Sequence, residues 1–247
     1  MTAQSSCRRL AILGFHKIGE PPPGGRASSW YISETVFASQ LGYLYENGWR
    51  VINIGELLTG LAAPESLPDR AALVTFDDGY RSNVQVAVPW LRRFGYPSVM
   101  FVPTQFIGGH NAFDDGYEPR EAICDWDDLR ELERLGCSIQ SHSVSHKSLS
   151  WLNPEELERE LLESKAALET GLGKSVEIFA YPYGDEGADA MLTIKALKGA
   201  GYLAACLYGG GPNQVPVADP YRLTRLAMGP DTDLRSLLVE EAEGVNR

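Results

Sequence analysis

Short apolar runs alternate with amphipathic stretches along nearly the whole of this 247-residue chain, and that rhythm restricts its fold more than any one motif. Leu10–Phe15, Arg50–Ile54, Ala72–Phe76, Ser98–Val102, Cys137–Ser141, Glu177–Tyr181, Leu203–Leu207 and Arg222–Met228 read as strands. Between them lie helical stretches. One runs from a cap at Ser33 to Asn47 and stops at Gly48; another opens at Asn153-Pro154, a cap residue followed by proline at the first helical position, and reaches about Thr170. Others are expected near Val84–Phe94, Trp126–Leu135, Ala188–Gly199 and Thr232–Glu241. Strands that alternate with helices pair in parallel, in a doubly wound sheet or a barrel, and reactive residues of a barrel gather where strands end. A single domain over residues 1–247 is expected, with no linker or repeat to divide it.

Charge narrows the partners. With 33 acidic against 22 basic residues the net charge is −11, which disfavours nucleic acid and anionic membrane surfaces. Cys7, Cys124, Cys137 and Cys206 have no metal-finger spacing and read as reduced, mostly buried thiols. The apolar run after Arg8-Arg9 spans Leu10 to Phe15, too short for a secretory core or a membrane span. A cytoplasmic protein is therefore expected, prior removal of an export signal being the other reading.

Four strand ends carry chemistry. Thr75-Phe76-Asp77-Asp78-Gly79 places two carboxylates after a buried strand, where charge calls for a cation or a task. On its own the pair also fits a helix cap and a turn residue. A second Phe-Asp-Asp-Gly at 113–116 follows a loop-like stretch, Gly108 to Ala112, and is read as solvated. Ser141-His142-Ser143-Val144-Ser145-His146 holds two of the four histidines, four apart on one side of a helical turn or tight loop. Two imidazoles and a carboxylate form a facial ligand set that leaves coordination positions open. Phe179-Ala180-Tyr181-Pro182-Tyr183-Gly184 offers aromatic walls, and His16 ends the first strand on the same rim.

Together these residues resemble the polysaccharide deacetylase family, the NodB-homology enzymes of carbohydrate esterase family 4. Thr75–Gly79 is similar to its first motif, Ser141–His146 to its second and Ala180–Gly184 to its third, over roughly residues 8 to 230. Phe15-His16-Lys17-Ile18 and Asp219–Leu226 look like the circularly permuted branch that includes the poly-N-acetylglucosamine deacetylases. The resemblance implies a distorted (β/α)7-type barrel and metal-dependent removal of acetyl groups from an N-acetylated sugar or polysaccharide. It makes Asp77 the general base, Asp78 with His142 and His146 the metal ligands, and His16 the general acid. Zinc is the expected metal, with cobalt or nickel as alternatives. Substrate contacts are expected from Tyr181, Pro182, Tyr183, Trp126 and Arg225, with Trp30 and Tyr31 as further stacking candidates. One departure stands out. Many members have an arginine that orients the catalytic aspartate where this chain has Ala180, and Arg225 or Arg222 is the expected substitute. Hydrolysis of another C–N or ester bond (a cyclic imide, a ureide or acetylated xylan), or sugar binding without catalysis, stays open as an alternative.

Overall fold

Seven consecutive residue pairs, Arg9↔Arg70 to Phe15↔Phe76, join the first long strand to another 61 positions later, and the sheet is built outward from that seam. The structure is a computed structural model that describes residues 8–22 and 28–238, so Cys7 lies outside it. The strands are β1 (Arg8–Phe15), β2 (Lys17–Ile18), β3 (Tyr31–Ile32), β4 (Arg50–Val51), β5 (Arg70–Phe76) and β6 (Ser98–Val102), then β7 (Cys137–Ser141), β8 (Ile178–Ala180), β9 (Ala204–Cys206), β10 (Asn213–Val215) and β11 (Leu226–Ala227). The helices are α1 (Glu34–Glu46), α2 (Ile54–Ala62), α3 (Ser82–Phe94), α4 (Trp126–Arg134), α5 (Pro154–Leu172), α6 (Ala190–Gly199) and α7 (Leu234–Leu238).

The main sheet runs β10-β1-β5-β6-β7-β8-β9, parallel except for β10, with β4 on β5 and β11 on β1. It curls into an incomplete barrel. The 223–227 segment spans the remaining gap: Leu223 bridges to Cys206 on β9, while Leu226 and Ala227 pair with Leu13 and Gly14 on β1.

Alternation along the strands sorts side chains into two layers. Leu10 and Ile12 of β1, Leu73 of β5, Val99 and Phe101 of β6, Ile178 of β8 and Leu223 pack together inside the curl. The intervening Leu13, Phe15, Val74, Phe76, Met100, Val102 and Phe179 face out and meet Phe37, Leu91, Leu132, Leu161 and Leu197 of the helices. Each such burial contributes roughly 1.5–3 kcal/mol, and the two layers together fix which way every strand-end residue points.

Local signals set the helices. Asn53 accepts from the Glu56 amide while the Glu56 carboxylate accepts from the Asn53 amide, a reciprocal cap that starts α2. The same arrangement at Asn153 and Glu156 starts α5. The expected strand Arg50–Ile54 is thus cut to Arg50–Val51, with a helix in place of its end. Arg222–Met228 is likewise not one strand: Pro220–Arg222 is a 3-10 turn and only Leu226–Ala227 pairs. Of the expected Thr232–Glu241 helix, Leu234–Leu238 is helical and 239–241 lie outside the described residues.

Candidate active site

Strand phase separates the two adjacent carboxylates. Counting by two along β5 from Leu73 through Thr75 brings Asp77 out on the inner face, and its amide extends the β1 seam by donating to the Phe15 carbonyl at 2.9 Å. Asp78 then adopts a left-handed backbone, φ 68°, and turns its side chain across the mouth of the barrel. Gly79 follows at φ 72°, where a Cβ would meet Val102 Cγ1 at 3.2 Å and Ile123 Cγ2 at 3.3 Å. Only glycine suits that step.

On β7 the inner phase passes through Gln140 to His142. The two histidines then sit in a loop, not on a helical turn: Ser143 and His146 both have positive φ, at 67° and 56°. Side chains hold this loop. The Ser143 hydroxyl accepts from the His146 amide at 3.0 Å, and Glu160 on α5 accepts from the amides of Val144 and Ser145, each at 2.8 Å.

Ligand atoms of Asp78, His142 and His146 all lie within 4.8 Å of one another, and all three residues are buried. Asp78 Oδ1 is 3.2 Å from His146 Nε2 and 3.6 Å from His142 Nε2. Yet it accepts no hydrogen bond and is sealed from solvent, an orphaned carboxylate oxygen that a cation would satisfy. His142 Nδ1 lies 2.8 Å from the Ala180 carbonyl, which can only accept, so Nδ1 carries the proton and the Nε2 lone pair faces Asp78. Burial pushes the His142 pKa down to about 4, which keeps the imidazole neutral near pH 7, as a ligand must be. Burial alone would raise the Asp78 pKa, but the imidazoles of His146, His16 and His142 outweigh it and leave the carboxyl ionised. The residues present therefore fit a divalent cation.

Asp77 is held by a different partner. Arg225 Nη1 and Nη2 donate to its two oxygens at 2.6 and 2.7 Å, and Arg225 Nε donates to the Leu207 carbonyl at 2.7 Å. The guanidinium lies between the Phe101 and Tyr208 rings, 5.4 Å from each centroid. Burial would raise the Asp77 pKa, but Arg225 with His142 and His16 carries it below the usual carboxylate range. Arg225 is fully buried, which corrects its assignment to substrate contact: it orients Asp77. Arg222, the other candidate for that task, pairs instead with Glu186 at 2.8 Å. The departure at Ala180 has a steric reading too. Its methyl joins the inner layer with Phe101 and Cys206, and the Arg225 guanidinium lies over the Phe101 ring of that layer.

A cleft of about 370 Å³ opens above these groups. His16, whose Nε2 is 3.9 Å from Asp77 Oδ2, lines it, with its ring 4.4 Å from that of Trp30 and 5.1 Å from that of Tyr208. Tyr183 lines the opposite side, its backbone left-handed at φ 59° and its ring 4.7 Å from His146. Other expected contacts fall elsewhere. Tyr181 is on the outer phase of β8, buried against Phe179, with its hydroxyl donating to the Tyr221 carbonyl at 2.9 Å. Pro182 is buried behind it in the Pro182–Gly184 turn. Trp126 starts α4 and covers Gly171 of α5, where an added Cβ would lie 2.2 Å from the indole. Tyr31 is buried, with its hydroxyl on Glu121 rather than in the cleft.

Several cleft residues escape sequence reasoning, Tyr80, Tyr117, Glu118, Tyr208 and Asp114 among them. Tyr208 fills space that Gly14 and Gly184 leave open: a Cβ at Gly14 would come within 3.1 Å of its ring. Asp114, read as solvated, in fact lines the cleft, because Phe113 stacks 4.4 Å from the His146 ring and pins the loop there. Tyr80 donates to Asp114 at 3.2 Å. Among the described residues no helix is long and apolar enough to cross a membrane.

The family model for polysaccharide deacetylases matches residues 65–205. YxkH of Bacillus subtilis (strain 168) is 26% identical over 194 residues, covering 78% of this chain and 62% of that protein. The poly-beta-1,6-N-acetyl-D-glucosamine N-deacetylase of Escherichia coli (strain K12) is 23% identical over 225 residues, covering 78% of this chain and 33% of that protein. The chain thus spans about six tenths of the first relative and a third of the second. Among solved structures, IcaB from Ammonifex degensii superposes with a TM-score of 0.76 at 26% identity, covering 91% of this chain and 93% of that one. The Streptococcus pyogenes deacetylase PplD, solved in complex with acetate, gives a TM-score of 0.79 at 21% identity over 94% and 97% of the two chains, a likeness of fold.

Proposed function

This chain belongs to the polysaccharide deacetylase family, and from that premise we propose that it hydrolyses the N-acetyl amide of an amino-sugar polymer, of the poly-N-acetylglucosamine type named for its E. coli relative. The observation that carries the proposal is the division of labour at 77 and 78. Asp77 is locked by Arg225 at 2.6 and 2.7 Å, and Asp78 converges with two histidines on one point.

Asp78, His142 and His146 would hold a divalent cation, zinc by the mixed carboxylate and imidazole set. Bound there, the cation would polarise the amide carbonyl and acidify water. Asp77, ionised and aimed by Arg225, takes the proton of the attacking water. His16 then protonates the departing sugar amine, which is a poor leaving group without a proton. Burial lowers the His16 pKa, so it starts neutral; Asp77 Oδ2 lies 3.9 Å away, beyond direct hydrogen bonding, so the proton that Asp77 has taken passes to His16 through one water. Tyr183 and Trp30 flank the sugar.

The test pairs metal analysis with amine release from β-1,6-linked N-acetylglucosamine oligomers. Asp77→Asn is expected to retain metal and lose about 10²–10⁴-fold in kcat, the usual worth of a general base. Asp78→Ala and His142→Ala are expected to lose the metal itself. Full activity in Asp77→Asn would overturn the assignment.

A further inference from the structure

The carboxylates around the cleft have their counter-charges assigned, with one exception. Asp77 has Arg225, and Asp78 has the imidazoles and the cation they would share. Glu118, whose amide donates to the Asp114 carbonyl at 3.1 Å on the same loop, takes the buried ammonium of Lys17 at 2.8 Å and the Ser28 hydroxyl at 2.9 Å. Lys17 is 1% exposed, boxed by the Tyr31 and Tyr80 rings at 4.6 and 4.7 Å, and also lies 3.6 Å from Glu121. Its ion pairs go to those two glutamates and not to Asp114. Asp114 is the exception: it forms no ion pair among the described residues, and its one side-chain hydrogen bond comes from the neutral Tyr80 hydroxyl at 3.2 Å.

The position of Asp114 is built rather than incidental. It ends the 3-10 turn Ala112–Asp114, and its amide donates to the Asn111 carbonyl at 3.0 Å. Asn111 is 1% exposed and ties the loop to itself, donating to the Pro119 carbonyl at 3.0 Å and accepting from the Glu121 amide at 2.8 Å. Phe113 sets the turn against His146. A fixed, half-buried carboxylate therefore faces the cleft without a cation.

A sugar hydroxyl would hydrogen-bond this group but leave its charge uncompensated. The reaction itself makes the missing cation, because each turnover converts an acetamide into an ammonium on the same polymer. Resting on the deacetylase reading above, we propose that Asp114 is a specificity-determining residue that binds the ammonium of an already deacetylated sugar, so that partly deacetylated chains are preferred substrates. Successive cleavages on one chain would then favour one another.

The test compares kcat/KM for fully acetylated β-1,6-N-acetylglucosamine oligomers with oligomers of equal length carrying one free amine. The wild type should favour the amine-bearing oligomer about tenfold, the scale of one charge-assisted contact. In Asp114→Asn, which keeps the shape and the Tyr80 contact, the ratio should fall to about one. Equal use of both by the wild type, or a preference that survives in Asp114→Asn, would overturn the inference. So would loss of the bound metal in that variant, which would make Asp114 part of the metal site. If neither oligomer is turned over, the deacetylase reading fails by itself. Binding then decides: wild type should hold a fully deacetylated glucosamine oligomer more tightly than Asp114→Asn, and equal affinity would reject the role.

Discussion

The chain spells Phe-Asp-Asp-Gly twice, at 76–79 and at 113–116, and the two copies do different things. In the first, a seven-residue strand delivers the pair to the barrel mouth, and alternation gives each carboxylate its own partner. Asp77 meets a guanidinium from 148 residues away, and Asp78 meets two imidazoles. In the second, a 3-10 turn carries the pair: Asp114 reaches the cleft, while Asp115 is exposed. The letters are the same, so what assigns the chemistry is the element that presents them. A strand sets both direction and burial, whereas a turn sets direction for one residue and leaves its neighbour in water.

The largest consequence of that contrast lies in stability. The first copy sits among desolvated imidazoles, and His142 has its pKa lowered by burial from 6.5 to about 4. In metal-free protein the unfolded chain therefore takes a proton there before the folded one does. Stability should be full above about pH 6.5 and fall as the pH drops toward 4, by up to about 3 kcal/mol. Below 3.8 the lowered carboxyls of Asp77 and Asp78 act in the same direction. Urea midpoints of metal-free protein at pH 7, 5.5 and 4 would show the fall. A flat profile would mean that the first copy is as solvated as the second, and the contrast would collapse.

Next in size is Arg225. Replacing it with lysine keeps the charge but removes the planar fork, so Asp77 loses one of two fixed hydrogen bonds and Leu207 loses its donor. With Asp77 as the base proposed above, displacement on that scale is expected to cost about 10²-fold in kcat. Bound metal should stay constant, and the acid limb of the kcat profile should move to higher pH as Asp77 is held less firmly in its ionised form. An unmoved acid limb would leave Arg225 a packing role only.

Much of this was readable from the chain, and the failures share a cause. The strand and helix rhythm, the Asp-Asp-Gly turn and the paired histidines are local signals, each carried by a few neighbouring residues. What could not be read depended on phase in very short strands or on contacts far apart in sequence. β8 has three residues, too few to show that Ala180 faces in and Tyr181 faces out. Arg225 reaches Asp77 only because the 223–227 segment spans the barrel gap, with Leu223 and then Arg225 on the inner face. Asn53 and Glu56 did spell a helix cap, but an apolar run masked it. Asp114 looked solvated because its anchor, the stack of Phe113 on His146, joins two loops.

The smallest expected effect is the sharpest check on the second copy. Asp115 follows Asp114 in sequence and shares its charge, but it is exposed, and its amide donates to the Ala112 carbonyl at 3.3 Å only to close the turn. Asp115→Asn keeps that backbone bond. Surface substitutions of this kind stay within about 0.5 kcal/mol, so Tm and kcat/KM should both match the wild type. A loss of the preference for the amine-bearing oligomer comparable to that expected in Asp114→Asn would mean that net charge on the loop, rather than one aimed carboxylate, draws the substrate in. In that case position within the turn would no longer distinguish the two aspartates.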